Sequence, residues 1–274
     1  KFSVEKIPVD SNGAVNLAAL DQLLDDEVIF VGIQFVNNET GLIQPLAAVG
    51  NLIKNKAPMA HFHIDGVQGF GKLPVDLKKW RADSFAASAH KLGGLKGCGL
   101  LWLRDGARCR PFILGGGQER GFRSGTENMA GICSFAAAAG ENYAQMEQNT
   151  VLYRSLRERL WQILCKKELD AVVVSDFKAC SPHIVNISFP GVRSEVLLHY
   201  LEAEGIYASS GSACHSNKSG ASPVLTAMGL PKDIIDGAIR FSFSQENTVQ
   251  QMDFVAEIIC RSVAEIRSLM GKKN

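Results

Sequence analysis

Residues Val28 to Val36, VIFVGIQFV, restrict the fold more than any other stretch of the chain. The run is apolar except for Gly32 and Gln34, and it is rich in β-branched residues. Its lack of polar alternation predicts a strand buried on both faces, as in parallel sheets covered by helices. Parallel strands need crossover helices, and the flanking sequence supplies them. Asn16 to Asp26 spaces Leu17, Leu20, Leu23 and Leu24 along one helical face behind an Asn cap. Pro45 opens a second helix that carries Leu46, Val49, Leu52 and Ile53. Further strands are predicted at Ala60 to Ile64, Phe85 to Ala89 and Leu100 to Leu103, with a short helical piece near Leu77 to Trp80. Strands alternating with helices give βαβ units, hence the α/β class with a mostly parallel sheet.

The pattern changes after a Gly- and Arg-rich loop at Gly115 to Thr126. From Glu127 to about Lys167 it is helical, with Leu152, Leu156, Leu160 and Leu164 on one face. A long helical crossing of this kind joins two domains, so a boundary is expected near Glu141. Residues 1–140 then form one domain, and residues 141–274 a smaller α/β domain. Within the latter, Ile184 to Phe189 and Ala238 to Phe243 are predicted strands. Ser194 is expected to cap a helix reaching Glu204, and Thr248 with Gln251 forms a capping box for a helix to Met270.

A chain of 274 residues that is 46% hydrophobic can bury one large and one small core. Its formal charge is +1 and it has no basic block, which argues against nucleic-acid and membrane-surface partners. No apolar run reaches membrane-spanning length. The seven cysteines are scattered singly, without CxxC or metal-like spacing. Free thiols in a reducing cytosol are expected, most of them packed in cores, with neither a disulfide framework nor a metal site.

In open α/β sheets, ligands bind beyond the carboxyl ends of the strands. Asn38, Asp65 and Lys91 each follow such an end. Lys91 stands in SAHKLGGLKGCG, with no acid within five residues. An amine in an apolar site loses some preference for its charged form, and a neutral amine is a nucleophile that forms Schiff bases. A loop lysine reaching for solvent has the same neighbours. Asp65 before Gly66 either caps a turn or holds a cationic ring nitrogen, as pyridoxal phosphate requires. Gln68 could donate to the phenolic oxygen of that ring. Ser88, His90 and Thr126 either satisfy backbone groups or bind a phosphate. Arg240, in the apolar strand AIRFSF, belongs to an ion pair or clamps a carboxylate. Cys214 lies in SSGSACHS, which has no core pattern, and is the candidate reactive thiol, with His215 beside it.

Six motifs occur in order: VNNETG, HIDGVQGFGKLPVDL, SAHK with GGLKGCG, GGGQERGFRSGTEN, SSGSACHS and IRFSFS. Together they resemble the cysteine desulfurases, pyridoxal 5'-phosphate enzymes of the class V aminotransferase kind with fold type I. The SSGSAC loop is similar to that of the group serving iron–sulfur cluster and tRNA-thiolation pathways. The resemblance runs from Lys1 to about Met270. It implies a catalytic set of Lys91, Cys214 and His90, with Lys91 bound to the cofactor and Cys214 taking the sulfur. Asp65 would pair with the pyridine nitrogen, Gln68 with the phenolic oxygen, and Ser88 and His90 with the phosphate. Thr126 would reach the phosphate of the partner subunit's cofactor in a homodimer, and Asn38 and Arg240 would hold the substrate carboxylate. The implied cytoplasmic reaction turns L-cysteine into L-alanine and leaves a persulfide for a sulfur-acceptor protein.

The family's amino-terminal third, with a Gly/Thr phosphate turn and a ring-stacking histidine, has no counterpart in this sequence. The expectation is therefore the carboxyl-terminal two-thirds of such an enzyme: a fragment, a chain completed by another, or a decayed form. Another class V lyase or aminotransferase, such as a selenocysteine lyase, would keep Lys91 and Asp65 without needing Cys214. A truncated chain that only binds a partner is the non-catalytic alternative.

Overall fold

The structure, a computed structural model, describes residues 2–107, 109–211 and 221–271. They divide into two packing units. One is formed by residues 17–35 and 45–146, the other by residues 1–16, 36–44 and 147–274.

The first unit contains α1 (Leu17–Leu23), β1 (Phe30–Gln34), α2 (Leu46–Lys56), β2 (His61–Asp65), β3 (Ser84–Ser88), β4 (Gly99–Leu103) and α3 (Met129–Ala144). Its sheet runs β1-β2-β3-β4, with the first three strands parallel and β4 antiparallel to β3. The expected mostly parallel sheet is therefore present. Helix α2 buries Leu46, Val49 and Ile53, while Phe62 and Ile64 of β2 are also buried. The β2–β3 connection is tied down at Asp83, whose carboxylate takes Lys54 Nζ at 2.8 Å, Arg104 Nε at 2.7 Å and the Phe62 N–H at 2.9 Å.

Two local expectations need correction. Strand β1 is covered on one side only: Val31 and Ile33 are buried, whereas Phe30 is 57% exposed. Phe30 spreads over its own sheet face and stacks on His61 and His63. Residues 77–80 make a turn instead of a helix. Bonds from the Trp80 N–H to the Asp76 carbonyl, the Arg81 N–H to the Lys78 carbonyl and the Ala82 N–H to the Leu77 carbonyl close it, and Arg81 at φ 56° ends it.

The second unit contains α4 (Met146–Lys166), β5 (Val172–Val173), β6 (Ile184–Ser188), α5 (Ser194–Ala203), β7 (Ser209–Ser210), α6 (Pro223–Ala227), α7 (Lys232–Asp236), β8 (Ala238–Ser242) and α8 (Val249–Gly271). Its sheet runs β5-β6-β8-β7 and is antiparallel throughout. Leu156, Leu160 and Leu164 of α4 pack in one core with Ile187, Leu197, Ile239 and Ile259. The predicted single helical run is two helices, separated at Gln145. The capping box at α8 forms in both directions: the Thr248 N–H donates to Gln251 Oε1 at 3.0 Å, and the Gln251 N–H to Thr248 Oγ1 at 3.3 Å. Ser194 is the first helical residue of α5, and the cap position belongs to Arg193. Among the described residues, no helix is long and apolar enough to cross a membrane.

Candidate active site

Strand alternation decides which side chains meet at the carboxyl edge of the first sheet. On β2, His61, His63 and Asp65 share one face, opposite the buried Phe62 and Ile64. The register pairs His63 with Ser84 and Asp65 with Ala86. Ser88, two residues beyond Ala86, therefore lies on the same face as Asp65, with the small Ala86 between them. Strand β3 then enters a 3₁₀ turn, Ala89–Leu92, which carries His90 and Lys91 and is closed by Gly93 at φ 90°.

Asp65 is exposed, and its Oδ1 accepts the Val67 N–H at 2.9 Å. Gly66 follows because the backbone passes against Phe85, where a Cβ would overlap the ring. Gln68 sits half-buried on the same turn, Ser88 and Lys91 are half-buried, and His90 is exposed. The hydroxyl of Ser84 bridges two imidazoles, at 2.7 Å from His61 Nε2 and 2.8 Å from His63 Nδ1. Burial lowers the His63 pKa, and the His61 charge acts in the same direction against the opposing pull of Asp65.

Lys72 lies in the HIDGVQGFGKLPVDL motif without a role assigned to it, and it is near enough to Lys91 to feel its charge. Gly71, at φ 72°, lets the backbone lie against Leu92, where a Cβ would press on the side chain. Asn142 of α3 donates from Nδ2 to the Leu92 carbonyl at 3.1 Å, which holds the same turn. Burial pushes the Lys72 amine down to about 8, with the nearby Lys91 charge adding to the effect. The only sequence hint is a lysine between apolar neighbours in GFGKL, a pattern shared by many ordinary surface lysines.

The Gly-rich loop is held by its own polar groups. Ser124 Oγ donates to the Gly116 carbonyl at 2.8 Å, and Arg123 Nη1 to the Ser124 carbonyl at 2.8 Å. Thr126 is exposed at its end. Phe112 is 98% and Leu114 78% exposed just before it.

Asn38 and Arg240 both belong to the second unit and are joined there. The NNETG segment is a tight turn, in which Asn37 Oδ1 accepts the N–H groups of Glu39 and Thr40 at 2.8 and 2.9 Å. Gly41, at φ 79°, completes it. Arg240 Nη1 donates to the Asn38 carbonyl at 2.7 Å. Arg240 also pairs across the sheet with Ser209 of β7. Asp65, Gln68, Ser88, His90, Lys91 and Thr126 all fall in the first unit.

Cys214 and His215 lie outside the described residues. The six described cysteines are free thiols. The expectation that they pack in cores holds for Cys180, whose thiol is pushed up to about 12, first by burial. Cys109, Cys133 and Cys165 are exposed, because each sits on a helix face or loop that faces solvent. No group of metal-ligating side chains occurs among the described residues.

The residue types at the first sheet edge fit pyridoxal phosphate by their chemistry: a carboxylate at Asp65, a hydroxyl at Ser88 and an amine at Lys91 are the groups a cationic ring nitrogen, a phosphate and an aldehyde would need.

The model of the class-V aminotransferase family matches residues 1–255. The cysteine desulfurase IscS of Methanosarcina thermophila is 38% identical over 268 residues, which cover 98% of this chain and 66% of that protein. A cysteine desulfurase of Nostoc sp. is 39% identical over 273 residues, covering 100% of this chain and 68% of that protein. Among solved structures, a NifS-like protein superposes with a TM-score of 0.89 at 36% identity, covering 96% of this chain and 69% of that one. SspA in complex with cysteine gives a TM-score of 0.74 at 26% identity, covering 88% of this chain and 66% of that one. The chain spans about two thirds of the length of the curated relatives it matches.

Proposed function

Because the chain belongs to the class-V aminotransferase family, whose members are pyridoxal-phosphate enzymes, and is related to its cysteine desulfurases, we propose that the protein removes sulfur from L-cysteine. The observation that carries this reading is the gathering of Asp65, Ser88 and Lys91 at the carboxyl edge of one parallel sheet. Residues 1–140 are then drawn from the carboxyl-terminal part of the cofactor domain and residues 141–274 from the smaller domain with the cysteine loop, except that residues 1–16 and 36–44 pack with the second unit.

Asp65 would hold the ring nitrogen and Gln68 the phenolic oxygen. Ser88 and His90 would bind the phosphate, and Lys91 would meet the aldehyde carbon. Bound there, the cofactor supplies an electron sink for charge developing at the substrate α carbon. Arg240 and Asn38 orient the substrate carboxylate. The Lys91 amine takes the α proton. The Cys214 thiolate attacks the substrate sulfur; an S–S bond forms, the C–S bond breaks, and its electron pair stays with the carbon skeleton. That skeleton takes up a proton and leaves as L-alanine, and Cys214 keeps the sulfur as a persulfide. A sulfur-acceptor protein of an iron–sulfur or tRNA-thiolation pathway then consumes it.

The exposed Phe112 and Leu114 beside Thr126 support a homodimer in which Thr126 reaches the partner subunit's cofactor phosphate. The free thiols accord with a cytoplasmic setting. The test is Cys214→Ala. The variant is expected to keep the cofactor's visible absorbance and to lose alanine formation from L-cysteine. Turnover at the parent rate would remove Cys214 as the nucleophile.

A further inference from the structure

Four successive carbonyls of the NNETG turn, those of Asn38, Glu39, Thr40 and Gly41, each take a donor from elsewhere in the second unit. In that order they accept Arg240 Nη1 at 2.7 Å, Asn186 Nδ2 at 3.2 Å, the Ser175 hydroxyl and the Ser181 N–H at 2.8 Å. Loop carbonyls ordinarily face water. Here the turn is held from behind along its whole length.

Asn186 is the member of this set that its own strand does not call for. Strand β6 is buried at every residue, and alternation sends Val185 and Ile187 into the apolar core. Asn186 faces the other way and is 0% exposed. A buried amide is costly unless its polar atoms are paired. Only half of this one is, since among the described residues Asn186 Oδ1 accepts no hydrogen bond. An apolar side chain would spare that cost but release the Glu39 carbonyl, so the amide is kept for what its Nδ2 holds.

Asn186 lies opposite Arg240 in the register of β6 and β8. Directly opposed residues stand side by side on one face of a sheet. The two side chains therefore reach adjacent carbonyls of one turn, Arg240 that of Asn38 and Asn186 that of Glu39. The Asn186 N–H also donates to Ser175 Oγ at 3.0 Å, and that hydroxyl donates on to the Thr40 carbonyl. One strand residue thus fixes the two carbonyls that follow Asn38.

We propose that Asn186 is a positioning residue for the substrate carboxylate: by holding the Glu39 carbonyl and, through Ser175, the Thr40 carbonyl, it sets the pose of Asn38 and Arg240, which take that carboxylate. This rests on the desulfurase reading. Asn186 touches neither substrate nor cofactor in this role; it acts through Asn38 and Arg240.

The test uses the protein loaded with pyridoxal phosphate and titrated, by visible absorbance, with L-alanine and with ethylamine, the same amine without the carboxylate. Neither carries sulfur, so the readout is binding and not turnover. Asn186→Ala and Ser175→Ala are each expected to raise the L-alanine midpoint about three- to tenfold, as loss of a hydrogen bond to the turn implies, and to leave the ethylamine midpoint at the parent value. A general structural role would instead raise both midpoints together, or lower the unfolding temperature and move neither; both patterns overturn the proposal. Ser175→Ala keeps the Asn186 amide and decides the matter if Asn186→Ala does not fold: an unchanged L-alanine midpoint in it overturns the proposal. A second readout needs no cofactor. Hydrogen exchange of the peptide covering residues 37–44 is expected to be faster in both variants, and parent-like exchange overturns the proposal as well. A parent that forms no L-alanine from L-cysteine would sink the desulfurase reading and this proposal with it, whereas parent turnover with unselective shifts in the variants sinks this proposal alone.

Discussion

Arg240 and Asn38, 202 residues apart in sequence, are joined by a 2.7 Å hydrogen bond from the guanidinium Nη1 to the asparagine carbonyl oxygen. One edge of the guanidinium is thereby spent on the backbone of the NNETG turn, which fixes the plane of the fork. A lysine placed there keeps the charge but loses the planar geometry that serves a carbonyl and a carboxylate together. Arg240→Lys is expected to raise KM for L-cysteine about tenfold or more, with a smaller fall in kcat, as loss of a charged hydrogen bond worth roughly 1.5–3 kcal/mol implies. Steady-state kinetics check this. An unchanged KM with a lowered unfolding temperature would make Arg240 structural.

Gly50 stands inside α2, where intrinsic propensity favours alanine by about 1 kcal/mol. The structure opposes that gain, since a Cβ at Gly50 would overlap the Trp80 carbonyl. Backbone cannot swing aside as a side chain can, so α2 would have to lift from the turn that precedes β3. Gly50→Ala is expected to destabilise the protein by about 1–3 kcal/mol despite the better helix former. Urea unfolding at neutral pH decides the sign, and a stabilised variant would show that the turn yields.

The elements around the site were legible because periodicity encodes them. The strand ends that carry Asp65 and Lys91, the helix after Pro45 and the Thr248 capping box all follow from local pattern. What was not legible depends on distant contacts. The run VIFVGIQFV specifies a strand, but whether one face or both are covered depends on what packs there, and Phe30 is left open. Chain continuity suggests that NNETG stays with β1, yet residues 36–44 pack in the other unit. Asn186 reads as one polar residue in a strand, because the Glu39 carbonyl that it holds is far away in sequence. The partner of Lys72 was hidden in the same way. Gly71, the residue before Lys72, packs on Leu92, the residue after Lys91, and Asn142 bonds the Leu92 carbonyl; none of the three is a charge signal.

Lys72 makes a stability prediction with a definite sign. In the folded protein its amine is held down at about 8, by burial first and by Lys91 second, against an ordinary value of 10.5. Below the folded value both states carry the proton, and the fold bears the full cost of a buried cation beside another. Between about 8 and 10.5 the unfolded chain holds more protons than the folded one, so stability rises with pH across that window. Above it both states are neutral and the cost is gone. Methionine matches the length of the lysine stem and carries no charge. Lys72→Met is therefore expected to be more stable than the parent at neutral pH, by up to roughly 3 kcal/mol, with the difference shrinking towards zero as pH approaches the ordinary lysine value. Other groups titrate in that range too, but they are common to both proteins and cancel in the difference. Urea unfolding of parent and variant at neutral and alkaline pH measures it. A variant less stable at neutral pH, with the parent's dependence on pH retained, would mean that Lys72 keeps its proton at little cost and that the nearby Lys91 charge is not a source of strain in this site.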